Sequence, residues 1–380
     1  MLRYFYIAPL AALLAGSLTY CVLALIAARK YLRSGARRLK SFPSVSILRP
    51  MSGAEDNTEA NLRSLFSQEY PTFEVLLSVH MDSDPAVTVA RRVMAEYPSI
   101  PSRLIVAGTS PLPNAKVWSL RALMPEARNE IVVMSDSDIA LAPDCLVTAV
   151  SELEQPGVSL ITCPYRAVGG PRFWPRIEAL GLNTDFLAGM LTQRMLNGMD
   201  FAIGCTIATR KSALDRIGGL ALLQRYLAED FMMGNLLHAR GERVILSRSV
   251  IGHYIGNGAF AENWKHRLRW ARSTRRSRRT GYAGEIFTKP VVLSILLCLA
   301  DPVKLWPAVV VAMAFRATVA WATAGIILKD PLIRRRWWLL PVEDISSFVV
   351  WVLGFFGKTI LWRGRKLVVA RDGAFEADAQ

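Results

Sequence analysis

From residue 44 the chain alternates short apolar runs with longer stretches whose apolar positions recur every three or four residues. Residues 45–48, 74–79, 103–107 and 130–134 are short and largely apolar, with β-branched side chains prominent, the pattern of strands buried on both faces. Between them, residues 58–67, 85–97 and 116–124 fit helices, and Pro85 stands where a first helical turn tolerates proline. This alternation predicts a parallel α/β sheet. A second half is expected to add strands over 159–163 and 202–209, a helix over 212–217 stopped by Gly218-Gly219, and another over 231–239. Residues 173–198 form a long apolar stretch bearing Met190, Leu191, Met195 and Leu196, which reads as core or as the lining of a lipid groove.

The flanks are apolar on a longer scale. Residues 5–28 exceed the roughly 20 residues a helix needs to span a bilayer. The run is too long for a signal-peptide core and only Arg3 precedes it, so an uncleaved anchor is expected. Arg29, Lys30, Arg33, Arg37, Arg38 and Lys40 follow, which by the positive-inside rule puts that end in the cytosol. Past Lys289 the apolar runs return: 290–300 is short, 305–328 is long and contains Arg316, and 345–362 is broken by Gly354, Gly357 and Lys358. A hairpin with its tip near Asp301 and Lys304 leaves Lys329, Arg334, Arg335 and Arg336 cytosolic, and the last run reads as re-entrant or interfacial. The expected plan is an anchor over 1–28, a basic tether over 29–43, a cytosolic domain over 44–280, membrane or interfacial helices over 281–362 and a cytosolic tail over 363–380.

Composition agrees with a membrane protein: 52% of the 380 residues are hydrophobic. The net charge of +15, from 46 basic and 31 acidic residues, could signal nucleic acid. The excess lies beside the apolar segments, however, which favours an anionic phospholipid surface and no nucleic acid. Residues 265–279 are the densest case, interleaving Leu268 and Trp270 with eight lysines and arginines, and predict a basic helix at the cytosolic interface. Cys21, Cys145, Cys163, Cys205 and Cys298 are scattered, with neither a disulfide framework nor zinc-ligand spacing.

Charge placement within the sheet points to chemistry. The strand at 130–134 runs into Ser135-Asp136-Ser137-Asp138, so two carboxylates emerge where ligands of open α/β sheets bind. Hard oxygen ligands of this kind suit Mg²⁺ or Mn²⁺. An Asp-rich turn has the same composition, and the pair alone does not choose between them. The strand at 74–79 likewise leads through His80-Met81 to Asp82-Ser83-Asp84, and Glu229-Asp230 opens a helix, where carboxylates are also favourable dipole partners. His266-Arg267-Leu268-Arg269-Trp270 closes the series.

This ordered set resembles the D, D, D, (Q/R)xxRW signature of membrane glycosyltransferases, and most closely a bacterial-type member of the ceramide glucosyltransferase family. The resemblance covers residues 43–280 and takes in Ser46-Ile47-Leu48-Arg49-Pro50 with Gly53, Asp82-Ser83-Asp84-Pro85-Ala86, Asn114-Ala115-Lys116, Asp136-Ser137-Asp138-Ile139, Gly218-Gly219-Leu220, Leu227-Ala228-Glu229-Asp230 and Arg269-Trp270. It implies a GT-A-type nucleotide-sugar-binding domain between an N-terminal transmembrane helix and C-terminal membrane segments, in a multi-pass enzyme of the inner membrane. It further implies inverting, non-processive transfer of a sugar, glucose by the family name, from a UDP-sugar to the hydroxyl of a membrane lipid such as ceramide.

Within that scheme Asp136 and Asp138 would hold the divalent metal, Asp230 would be the base with Glu229 as the alternative, and Arg269 would meet the diphosphate. Trp270 would shape the acceptor entrance. Asp82 and Asp84 would contact uridine or the metal-bound donor, Asn114 and Lys116 would lie close to the nucleotide, and Pro50, Gly53 and Glu55 would frame the uracil, although Glu55 equally fits a solvated loop carboxylate. Two departures stand out. His266 replaces the family's Gln or Arg, so a fixed positive charge there is in question. Asn183-Thr184 occupies the region where eukaryotic members carry a His. Hopanoid glycosyltransferases and processive polysaccharide synthases share much of this pattern; a synthase needs more spans, and a non-catalytic lipid-binding protein would have lost an acidic motif.

Overall fold

A computed structural model describes residues 2–35, 39, 41–55, 57–111, 113–357, 359–362, 365–368, 370 and 373–375. Its strands are Val45–Pro50 (β1), Phe73–Val79 (β2), Ser102–Val106 (β3), Ile131–Ser135 (β4), Ile139–Ala140 (β5), Val158–Thr162 (β6), Tyr165–Val168 (β7), Thr206–Arg210 (β8), Arg243–Leu246 (β9) and Ile251–Tyr254 (β10), followed by a separate antiparallel pair, Thr359–Trp362 (β11) and Arg365–Val368 (β12). The chain divides into two units. One joins Ala36–Tyr165, Asn197–Tyr254 and Gly373–Gln380; the other joins Met1–Gly35, Arg166–Leu196 and Ile255–Asp372.

The first unit is built on a seven-stranded sheet in the order β3-β2-β1-β4-β8-β6-β9. Strands β1 to β4 are mutually parallel, with Val45 opposite both Phe73 and Ile131, and helices Thr58–Phe66, Pro85–Glu96 and Ala115–Leu123 supply the crossovers. The sequence periods locate these elements to within a residue or two. The sheet is not wholly parallel, however: β8 runs antiparallel to β4 on one side and to β6 on the other. A short apolar run carries no direction of its own, and β8 returns after the excursion at 166–196. Ala202–Cys205, expected as strand, is irregular, because backbone is needed there for other contacts described below. The two-residue β5 pairs antiparallel with β10, setting His253 opposite Ile139.

In the second unit three helices among the described residues are long and apolar enough to cross a membrane: Tyr6–Arg33, Pro302–Ile327 and Pro331–Gly354. The pair Arg279–Thr288 and Pro290–Cys298 is bent by 61°, with Pro290 opening the second helix. Residues 290–298 are therefore the second half of a bent pair, which by length and composition is a broken span or a re-entrant loop. The run at 345–362 belongs partly to the third long helix, whose apolar length was masked by Arg334, Arg335, Arg336, Glu343 and Asp344. Leu14, Leu293, Leu297 and Ala312 pack one cluster, Cys21, Ala24, Ala188 and Val319 another, and Ile177, Leu180, Ala320, Ala324 and Leu340 a third. Half of the tether charges, Arg37, Arg38 and Lys40, and much of the tail, including Arg363, lie outside the described residues.

Arg316, in the middle turns of its helix and 1% exposed, is matched by carboxylates. Its Nε donates to Asp344 (2.8 Å), and Nη2 lies 2.8 Å from Asp185 and 3.2 Å from Glu343. Lys289 holds the other oxygen of Asp185 at 2.6 Å. A charge in a membrane helix is tolerated only with such partners.

Candidate active site

Because β1, β2 and β4 are parallel, their carboxyl ends share one edge of the sheet, and two of the acidic motifs leave from there. After β4, the Asp136 N–H donates to the Cys205 carbonyl (3.1 Å) and the Ile139 N–H to the Asp136 carbonyl (3.3 Å), which makes a tight turn. The Tyr254 N–H closes its far side on the Asp138 carbonyl (2.9 Å). Beneath the turn lies Arg49, wholly buried, donating to Ser135 Oγ (2.8 Å) and to the carbonyls of Ile139 (2.9 Å) and Asn61 (3.0 Å). Burial pulls its pKa down to about 10, against the attraction of Asp138 and Asp136. An arginine remains charged at that value, so the turn rests on a fixed cation.

Asn114 and Lys116 connect this turn to the Glu229-Asp230 helix. Asn114 caps its own helix through Val117 N–H (3.1 Å), and its amide nitrogen donates to Glu229 Oε2 (3.0 Å) and to the Tyr226 carbonyl (2.9 Å). Lys116 Nζ lies 3.0 Å from Glu229 Oε1, 2.7 Å from Asp136 Oδ1 and 3.1 Å from the Gly204 carbonyl. Burial disfavours the lysine charge, but Asp136, Glu229 and Asp230 outweigh it and hold its pKa well above the usual value. Both oxygens of Glu229 are thus occupied.

Asp230 is placed differently. Burial, then the charge of Glu229, push its pKa up to about 7, with Lys116 opposing. A Cβ built on Gly204 would stand 2.7 Å from Asp230 Oδ2, and one on Gly234 would stand 2.4 Å from the Ala202 nitrogen. Glycine at both positions lets the 201–205 backbone lie directly against this helix, which explains the missing strand there. Asp136 is also pushed up, to about 6, by burial and Asp138 against Lys116.

Asp138 Oδ1 is buried with no hydrogen-bond partner among the described residues, while Oδ2 faces His253 Nε2 at 3.2 Å. Burial opposes a charge on His253, yet the facing Cys205 and Asp138 leave its pKa well above the ordinary imidazole value. The orphaned oxygen of Asp138 and the neighbouring carboxylate of Asp136 offer hard donors of the kind Mg²⁺ or Mn²⁺ takes, while His253, drawn towards its protonated form, balances Asp138 and offers no lone pair. Sequence reasoning passed over His253; its one signal is a lone His in a short run near the end of the α/β region. Among the described residues the carboxylates of Asp185, Glu343 and Asp344 also come within 4.8 Å of one another. Arg316 and Lys289 already occupy that cluster as ion-pair partners.

Other expected residues have local duties. Asp84 caps the helix Pro85–Glu96 through Ala86 N–H (2.9 Å) and accepts the Gly53 N–H (2.9 Å), where Gly53 takes a φ of 71°. Asp82 forms an exposed pair with Arg91. Glu55 is exposed, its N–H donating to Thr58 Oγ1, and Pro50 ends β1. His266, Arg269 and Trp270 lie in the other unit, on the helix Phe260–Ser277. No hydrogen bond to a described residue engages the Arg269 guanidinium, whose pKa is lowered by burial against the pull of Glu178. Several arginines expected at a lipid surface are instead engaged: Arg267 with Ser346 and Ser347, Arg272 with Thr359, and Arg275 with the Phe355 and Gly357 carbonyls after the third long helix.

The family description Glycosyl transferase family 21 matches residues 9–375. The chain belongs to this family. The family 21 chain is 29% identical over 209 residues to ceramide glucosyltransferase 1 of Caenorhabditis elegans, covering 54% of this chain and 44% of that protein. To ceramide glucosyltransferase 3 of the same organism it is 28% identical over 233 residues, 60% and 49% of the two chains. The match thus spans about half the length of these relatives. A mannosyltransferase from Pyrobaculum calidifontis, solved with GDP-Man and Mn²⁺, shares the fold with a TM-score of 0.54 at 19% identity over 91% of this chain and 98% of that one. The resemblance read from the motif order holds: this is a family 21 glycosyltransferase with a GT-A-type α/β domain and apolar helices at both ends.

Proposed function

We propose that this glycosyltransferase moves a single sugar from a UDP-sugar to a hydroxyl of a membrane lipid of the ceramide type, with inversion, on the cytosolic face of a multi-pass membrane anchor. The observation that carries this reading is the division of labour at 229–230: Glu229 is clamped by Asn114 and Lys116, while Asp230 keeps a carboxyl with a pKa near 7. A base poised near the working pH is what attack by an alcohol requires. Asp230 accepts the hydroxyl proton as the lipid oxygen bonds to the anomeric carbon. The bond from that carbon to the UDP oxygen breaks on the opposite face, and its electron pair leaves with the diphosphate. Glu229 serves as the fixed anion that raises Asp230 and anchors Lys116.

Asp136 and Asp138 would hold Mg²⁺ or Mn²⁺, which when bound supplies positive charge to the diphosphate. Lys116 and Arg49 keep positive potential behind the carboxylates; the diphosphate contact of Arg269 is proposed from the family resemblance alone, its planar fork being suited to phosphate oxygens. Asp84 sets the Gly53 turn, so Pro50, Gly53 and Asp84 together would shape the nucleoside wall, with Asp82 and Glu55 at its rim. The catalytic role is assigned to residues 44–280, between the anchor and the C-terminal helices. Contact of the remaining basic residues with anionic phospholipid belongs to the same proposal.

Purified protein incubated with a panel of labelled UDP-sugars and lipid alcohols, followed by mass analysis of the extracted lipids, tests the reading. One sugar added to a ceramide is expected. A polymer, a product only on hopanoid polyols, or UDP release without lipid product would overturn it.

A further inference from the structure

His266 lies one helical turn before Trp270, so the two side chains share a helix face. The Trp270 indole N–H donates to His266 Nε2 at 3.1 Å, with the rings in an edge arrangement. An indole can only donate, so Nε2 must be unprotonated. The ring proton therefore sits on Nδ1, which lies 2.8 Å from Glu178 Oε1 and donates to it. Glu178 comes from a different helix, Phe173–Gly181, and is buried; its second oxygen accepts from the amide of buried Asn263. Both oxygens of the carboxylate are thus directed, one of them at the imidazole.

The consequence falls on Trp270. Its only polar atom is satisfied inside the protein, yet the residue remains 38% exposed. What it offers outward is the carbon surface of an indole whose orientation is fixed before any ligand arrives. Two aromatic contacts stiffen the same helix: Trp174 with Phe260 at 4.8 Å, and Phe260 with Trp264 at 5.5 Å.

We propose that Glu178 and His266 are positioning residues that hold Trp270 as a preformed apolar wall for the lipid acceptor, with His266 acting as a neutral two-sided hydrogen-bond connector and not as a cation. This rests on the lipid glycosyltransferase reading for the identity of the ligand. The connector needs one donor and one acceptor on a single side chain. Glutamine has both, arginine has donors only, and leucine has neither.

The experiment follows steady-state kinetics against acceptor and donor separately, in H266Q, H266R, H266L and E178M. Loss of a single hydrogen bond is expected to raise the acceptor KM roughly three- to tenfold in H266R, H266L and E178M, leaving the UDP-sugar KM within twofold. H266Q should return the acceptor KM to within about threefold of wild type. Protein carrying 5-fluorotryptophan, with the Trp270 line assigned by W270F, gives a readout independent of turnover. That fluorine line should shift or broaden in H266R and E178M and stay in place in H266Q. An H266R variant that keeps the acceptor KM while H266Q loses it would show that a cation is required and overturn the connector. A Trp270 line indifferent to E178M would remove Glu178 from the chain of contacts. Should the wild-type protein glycosylate no lipid, the functional reading fails, and the fluorine lines still decide whether Trp270 is held in this way.

Discussion

Asp230 is the group whose titration should be visible in the reaction. Its pKa stands near 7 because burial and Glu229 both penalise the carboxylate, while Lys116 relieves it. If Asp230 takes the acceptor proton, kcat should fall with acid in proportion to its ionised fraction: half of the plateau at pH 7 and about a tenth at pH 6. Two neighbours should move this limb in opposite directions. Glu229→Gln removes the like charge and shifts the limb to lower pH, whereas Lys116→Gln removes the attraction and shifts it higher. A displacement of one unit corresponds to ~1.4 kcal/mol and, downward, would lift the rate at pH 6 to about half of its plateau. Each substitution also costs contacts, so the limb's position is the readout and not the plateau. Asp230→Asn should lower kcat by roughly 10²–10⁴-fold with UDP-sugar binding retained. Stability gives a second check on sign. The folded pKa lies above the unfolded 3.8, so ionising Asp230 disfavours the fold, and the advantage of the Asn variant should grow from about pH 4 to about pH 7 and then level. A pH–rate profile whose acid limb ignores both neighbours, or an Asn variant with normal turnover, would refute the assignment.

Removing Asp136 or Asp138 as alanine should weaken UDP binding and abolish its dependence on added Mg²⁺ or Mn²⁺, measured by calorimetry with and without metal; full activity after exhaustive chelation would contradict the metal role. Gly204→Ala places a methyl 2.7 Å from Asp230 Oδ2 and should lower kcat by up to about 10²-fold while sparing UDP-sugar affinity, since a displacement of about 1 Å at a reacting group is enough. Arg316→Met leaves Asp185, Glu343 and Asp344 without their shared cation and should cost about 3–5 kcal/mol, read as a large drop in the unfolding midpoint in detergent; a midpoint within a degree of wild type would show the network to be dispensable.

The sheet was legible where local signals suffice. β1 to β4 are each a short apolar run bounded by turn residues, and Pro85 marks the start of its helix. Strand direction at β8 was not legible, since pairing is decided by what lies on either side and not by the run itself. The third long helix was hidden for the opposite reason. Glu343 and Asp344 look forbidding in an apolar segment until Arg316, 27 and 28 residues away, supplies their partner. Hydropathy treats each charge alone, whereas a membrane helix is priced by its pairs.

At the candidate site the acidic motifs could be found from strand ends and motif order, but their wiring could not. Asn114 and Glu229 are 115 residues apart, as are Asp138 and His253. Nothing in a single sequence says that an amide at the start of one helix will silence one of two adjacent carboxylates at the start of another. Yet that contact is what gives Asp230 and Glu229 different surroundings, and it is the ground on which Asp230 is proposed as the base. On the proposed mechanism their difference in role would arise from second-hand restraint: the residue that Asn114 and Lys116 hold would be the fixed charge, and the one beside it, next to Gly204, would be left to exchange a proton.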